Sequence, residues 1–162
     1  MICRIALAAF ALLFASLPAT SAFAQRRKPT AVESAAVHVC AVKNQDDFDK
    51  GEQDCLFKLV GDPCIGKLGA AGDATTADCY YVEEEIWDDL LNENYKTLLG
   101  TLDSEQAAKA RIMQRDWIVY RDSTCQFYYD KIRGSMAIMM LAACVTRETA
   151  RRAMLLGFFS RL

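Results

Sequence analysis

The chain has 162 residues, of which 52% are hydrophobic and 25% charged, and carries a formal charge of −2. That length predicts one domain with room for a buried core. The acidic balance, with no basic cluster interleaved with aromatics, argues against a nucleic-acid partner.

Residues 1–24 have the pattern of a secretory signal peptide. Arg4 supplies the positive charge, Ile5 to Leu17 is an apolar run, and Ala22-Phe23-Ala24 is a small-x-small cleavage site before Gln25. The run is short for a bilayer span, so no stable membrane anchor is expected after cleavage. Cys3 precedes the apolar run and leaves with the leader. The expected mature chain, residues 25–162, carries 18 basic and 21 acidic side chains. Its charge is uneven: residues 25–104 are net −8 and residues 105–162 net +5. Such halves either pair with each other or leave an acidic face that attracts a cationic partner.

Residues 25–29 form a short basic lead-in. Thr30 and Glu33 have capping-box spacing and predict a helix to about Val42. A second helix is expected from Asp46 to Val60, weakened by Gly51 and stopped by Gly61-Asp62-Pro63. Residues 66–76, with three glycines, read as a loop. A long helix then opens near Thr75 and runs to about Leu102, with Trp87, Leu91, Tyr95, Leu98 and Leu102 on its apolar stripe. Asp103 and Gln106 repeat the capping-box spacing and start a helix to about Ile132. One face of it carries Ala110, Gln114, Trp117, Arg121, Cys125 and Tyr128. Ser135 is placed to cap a last helix ending near Leu156, with Gly157 as its stop. Its apolar segment, Met136 to Val145, has ten residues and reads as core rather than membrane span. Strand signals are nearly absent. The expected fold is all-α: a small disulfide-stapled bundle of four or five helices.

Six cysteines remain after Cys3. None has CxxC spacing and none is followed by His, so zinc ribbons, thioredoxin-type sites and c-type haem attachment lack their cue. An even count in a small exported chain predicts disulfides. Sequence neighbours are separated by 15, 15 and 19 residues, which favours Cys40–Cys55, Cys64–Cys79 and Cys125–Cys144. The last pair is the best supported. Cys125 lies nine residues before Gly134 and Cys144 ten after it, so antiparallel helices place the two at similar heights.

Catalytic signals are weak. The one histidine, His38, has no second histidine or free thiol to work with, so no metal site and no cofactor is expected. Glu84 and Asp88 share a helix face, but acidic runs of this kind usually form a solvated surface. There is no phosphate loop, nucleophile elbow or HExxH pattern. Arg121 shares the stripe expected to be buried and requires a partner, for which Asp88 is the expected candidate.

The combination Trp87-Asp88-x-x-Leu91-Asn92-x-x-Tyr95, Gln114-x-x-Trp117-x-x-x-Arg121-Asp122-x-x-Cys125, Gly134-Ser135 and Cys144-x-Thr146, with Arg151 and Arg152 following, resembles the LprI-like lysozyme-inhibitor family. The resemblance covers residues from about 79 to 156, and Cys55 to Cys79 is similar to an N-terminal extension of some bacterial members. It implies a small helical, disulfide-bonded protein of the bacterial envelope, periplasmic or secreted, in a Gram-negative type of cell. The implied activity is inhibition of lysozyme by protein–protein binding, with c-type lysozyme the foremost candidate partner. It supplies no catalytic residues. Because c-type lysozymes are strongly basic, Glu84 and Asp88 of the acidic half are candidate contacts, and Arg151 or Arg152 could instead enter the enzyme's cleft. The alternative is a structural or stress-related envelope protein with no lysozyme target.

Overall fold

The computed structural model describes residues 26–69 and 72–162. The signal-peptide assignment over residues 1–24 and Cys3 lie outside the described residues. These residues form six helices: α1 (Ala31–Lys43), α2 (Phe48–Cys55), α3 (Gly61–Leu68), α4 (Asp73–Thr101), α5 (Ser104–Ile132) and α6 (Ser135–Phe159). No strand occurs among them. The fold is all-α and disulfide-stapled, with six helices rather than four or five.

The additional helix is α3, which lies where a helix stop and a loop are expected, while the helix expected from Asp46 to Val60 is the shorter α2. α2 stops at Cys55 because Leu56 is extended and Phe57 adopts φ +65°. Gly61-Asp62-Pro63, read as a stop, instead opens α3. Pro63 falls in the first turn, where its missing N–H has no intrahelical acceptor to satisfy. α3 also takes up part of the expected loop, and α4 starts at Asp73, ahead of Thr75.

Two starts follow from side chains that reciprocate with the backbone. At α1, Thr30 N–H donates to Glu33 Oε2 at 2.8 Å while Glu33 N–H donates to Thr30 Oγ1 at 3.2 Å. At α5, Gln106 N–H donates to Asp103 Oδ1 at 2.8 Å and Asp103 N–H to Gln106 Oε1 at 3.1 Å. Two ends of α6 depart from expectation. Ser135 does not cap it: Gly134, at φ +91°, occupies that position, and Ser135 Oγ donates to Asp73 Oδ2 at 2.7 Å. Gly157 does not end it but lies buried within it. A Cβ there would sit 2.9 Å from Asn94 Nδ2, which donates to Ala153 O at 2.9 Å. The glycine thus permits a close approach between α4 and α6.

Contacts in sequence order set the topology. Asp73 meets Ser135, Tyr80 O accepts from Thr146 Oγ1 at 3.0 Å, and Asn94 reaches Ala153, so α4 and α6 run parallel. α5 runs antiparallel to α6, with Gln114 at Arg152 and Cys125 bonded to Cys144. α6 is the central helix; it packs most extensively on α4 and next on α5. Its fully buried alanines, Ala137, Ala142, Ala150 and Ala153, let neighbours approach without large side chains between. α1, α2 and α3 pack around α4 and α6. The main apolar cluster joins Val37, Leu56 and Val60 to Ile86, Trp87, Leu90 and Leu156. On the α4 stripe, Trp87, Leu91 and Leu98 are buried, while Tyr95 and Leu102 are half-buried against the cluster.

Three disulfides fasten this arrangement. Cys40–Cys55 ties α1 to α2, Cys64–Cys79 ties α3 to α4, and Cys125–Cys144 ties α5 to α6. No described helix is long and apolar enough to cross a membrane.

Candidate functional site

The polar residues of the sequence pattern gather in three places. The first is internal. Glu83 is fully buried. Its Oε1 accepts from Phe57 N–H at 2.7 Å and from Trp87 Nε1–H at 3.1 Å, and its Oε2 accepts from Gly61 N–H at 2.8 Å. One α4 side chain therefore holds both ends of the α2–α3 connection and orients the core indole. Phe57 accepts the left-handed backbone, costly for a bulky residue, and its N–H is held there by the carboxylate. Gly61 allows a close approach here: a Cβ would lie 3.1 Å from Glu83 Oε2 and 3.2 Å from Tyr80 Cδ1. Burial raises the Glu83 pKa above the ordinary carboxylate value; the three donors oppose this, and Asp62's charge adds to the rise. In sequence Glu83 stands beside Glu84 and Glu85 in an acidic run of the kind expected to be solvated. Its only sequence cue is the one-turn spacing to Trp87.

The second place is the contact of α5 with α6. Arg152 is buried, with Nε donating to Gln114 Oε1 at 2.8 Å and Nη2 to Met113 O at 3.2 Å. Two guanidinium groups approach the Trp117 ring, Arg121 at 5.0 Å and Arg152 at 5.4 Å from its centroid. Burial lowers the Arg152 pKa from its usual value. The expectation of an exposed Arg152 able to reach a partner does not hold: its short segment of α6 faces α5. The expected Arg121–Asp88 pair does not form either. Arg121 bonds its neighbour Asp122 at 2.8 Å and donates to Thr149 Oγ1 at 3.4 Å. Asp88 instead accepts from Asn92 Nδ2 at 2.9 Å, one turn along α4. Arg152→Ala is expected to cost about 2–4 kcal/mol, through lost packing and an unpaired Gln114. Arg121→Ala is expected to cost about 1 kcal/mol or less, because its ion-pair partner Asp122 is exposed. Urea unfolding of the two variants checks the order, and the reverse order would overturn this account.

The third place is the charged surface. Arg151 is a surface residue whose Nε and Nη2 donate to Glu52 at 2.8 and 3.0 Å. Arg147 approaches the same carboxylate at 3.8 Å, and Arg161 approaches Asp46 at 3.4 Å. The lead-in covers the start of the α4 acidic stripe, with Arg26 on Asp78 at 3.2 Å and Lys28 on Glu85 at 2.7 Å. Among the described residues, Asp49, Asp54, Asp62, Asp88, Asp89 and Glu93 have no cation within ion-pair distance. Internal pairing of the two charged halves thus leaves a net acidic surface on α2, the α3 start and the middle of α4. Glu84 is half-buried beside it. Burial raises its pKa and the Asp88 charge adds to this, while Arg121 and Arg26 pull it down.

A cleft of about 620 Å³ opens where the ends of α4 and α6 meet the start of α5. It is lined by apolar side chains such as Leu98, Met113 and Phe159, and its one charged side chain, Arg161, donates to Gly157 O at 2.7 Å. No acid–base pair faces it. The remaining residues of the sequence pattern do architectural work: Trp87 and Leu91 fill the core, Gly134 makes the α5–α6 turn, and buried Thr146 joins α6 to Tyr80 on α4.

A family model described as Lysozyme inhibitor LprI matches residues 64–156. No curated protein and no solved structure matches the chain. The match takes in more than half of the sequence and contains all of α4 and α5 and nearly all of α6, the three helices that build the clusters around Glu83, Trp117 and Arg152. The chain belongs to the LprI lysozyme-inhibitor family.

Proposed function

We propose that residues 25–162 form one exported domain that inhibits a lysozyme by binding it, with c-type lysozyme as the target. Family membership carries this reading. Three disulfides support an oxidising compartment, periplasmic or extracellular, reached through cleavage of residues 1–24. The unpaired acids on α4, with Asp88, Asp89 and Glu93 foremost and Glu84 beside them, steer a basic enzyme toward this face. Arg151 is the other candidate contact, and entering a cleft requires it to leave Glu52. Inhibition arises by occlusion, not by catalysis.

Purified residues 25–162 are expected to inhibit c-type lysozyme at micromolar concentration. The triple variant Asp88→Asn, Asp89→Asn, Glu93→Gln is expected to slow association by about tenfold at low salt. Moderate salt is expected to bring wild type and variant together, because exposed charges are screened. No inhibition of c-, g- or i-type lysozyme would sink the reading and favour a structural envelope role. Inhibition indifferent to salt would sink the steering face alone.

A further inference from the structure

α5 is partnered on one side only. Ala107, Ala110, Gln114 and Cys125 are its buried residues, and among the helices it packs mainly on α6. The opposite face carries large apolar side chains in water: Ile112 is 50% exposed, Val119 68%, Tyr120 51% and Phe127 64%. They recur at helical spacing along one stripe, together with Lys109, Asp116, Ser123 and Asp130. Large apolar side chains gathered on one exposed helix face, with Asp116 and Ser123 between them and charges at both ends, mark an association surface.

We propose that this stripe is a homodimer interface, in which α5 of two copies pack antiparallel about a two-fold axis passing between Val119 and Tyr120. The stripe is complementary to its own reverse. That axis sets Val119 against Tyr120 of the second copy, Asp116 against Ser123, Ile112 against Phe127 and Lys109 against Asp130. Each pairing occurs twice, as an isologous interface requires. Apolar residues meet apolar ones, a carboxylate meets a hydroxyl, and each outer end closes with a lysine opposite an aspartate. Farther out, Glu105 falls beside Arg133. A shift of one heptad in either direction loses this match, because Asp116 then faces either its own counterpart or Asp130, a like charge. The stripe from Lys109 to Asp130 is about 33 Å long at the rise of an α-helix. One helix pair of that length makes a small interface, so the dimer is concentration-dependent. Cys125–Cys144 holds α5 rigidly on α6 and presents the stripe in one orientation.

Sedimentation velocity of the purified, disulfide-bonded protein tests this. From about 1 to 500 µM the mass is expected to rise from one copy toward two, the range in which small interfaces form. Val119→Arg is expected to hold the mass at one copy with an unchanged helical circular-dichroism spectrum. Lys109→Glu and Asp130→Lys are each expected to weaken dimerisation by about tenfold, and the two together to restore it. A wild type that stays monomeric at the top concentration overturns the proposal. So does a dimer that survives Val119→Arg, or a double charge swap no better than either single one. If Val119→Arg abolishes lysozyme inhibition while leaving the mass unchanged, the face belongs to the enzyme and not to a second copy.

Discussion

Glu83→Ala is expected to lower the unfolding free energy by about 3–5 kcal/mol, because it strands three buried donors that each cost about 1–3 kcal/mol when unpaired. Those donors are the N–H groups of Phe57 and Gly61 and the indole N–H of Trp87. Losing them also frees Phe57 from its left-handed backbone, so the connection between α2 and α3 is expected to loosen first. Glu83→Gln keeps one acceptor oxygen but turns an amide N–H₂ toward a backbone N–H, and is expected to cost about 1–3 kcal/mol. Urea unfolding measures both. A loss below about 1 kcal/mol in the alanine variant would mean that water replaces the carboxylate at little cost.

The same residue carries a pH signature. Its folded pKa is raised, with burial as the main cause. A raised folded pKa makes the protonated form the one that folding favours. The contribution is therefore fully present below the unfolded value of about 4.3 and is lost as pH rises through the folded value. The stability of wild type relative to Glu83→Gln is expected to be greatest near pH 4 and to shrink toward pH 7, since the amide does not titrate. A difference that grows over that range would reverse the sign and show that the three donors outweigh burial.

Reduction of all three disulfides is expected to unfold the protein. The closed loops have sequence separations of 15, 15 and 19 residues. In the chain-entropy model each such loop is worth about 3 kcal/mol, or about 9 kcal/mol together. That is comparable with the whole stability of a domain this size, about 5–15 kcal/mol. Removing Cys125–Cys144 alone, as Cys125→Ser with Cys144→Ser, is expected to cost about 3 kcal/mol. Its effect should be local. α5 packs chiefly on α6, so amide exchange is expected to rise first in the half of α5 that runs from Arg121 to Ile132. Loss of helical signal on reduction and exchange mass spectrometry of the double variant check the two parts. A reduced protein that keeps its full helical signal would show that the apolar core suffices.

Local order was readable along the chain wherever neighbouring residues set it. Thr30 with Glu33, and Asp103 with Gln106, satisfy backbone donors a single turn away, so their spacing alone locates two helix starts. The apolar period from Trp87 to Leu102, and the cysteines at matching heights about Gly134, likewise follow from helix geometry. The polar pattern from Trp87 to Thr146 was enough to name the family, since it is carried by residue types at set spacings. What sequence could not supply was the partner of each polar group. Glu83 and Glu84 are neighbours in one acidic run, yet Glu83 is the fully buried one, because the α2–α3 connection folds its N–H groups onto that side of α4. Arg151 and Arg152 are likewise adjacent; one reaches Glu52 on the surface and the other is enclosed by Gln114 and Trp117. Adjacent helical residues point about 100° apart, so which one is buried depends on where the next helix lies. Gly61 and Gly157 behave the same way: each looks like a stop in sequence, and each is a point of close approach once Glu83 or Asn94 is packed against it. Sequence by itself determined the helical class, the cysteine inventory and the family. Only the tertiary structure decided which charges are internal supports and which remain free to meet a partner, because burial depends on contacts between residues far apart in the chain.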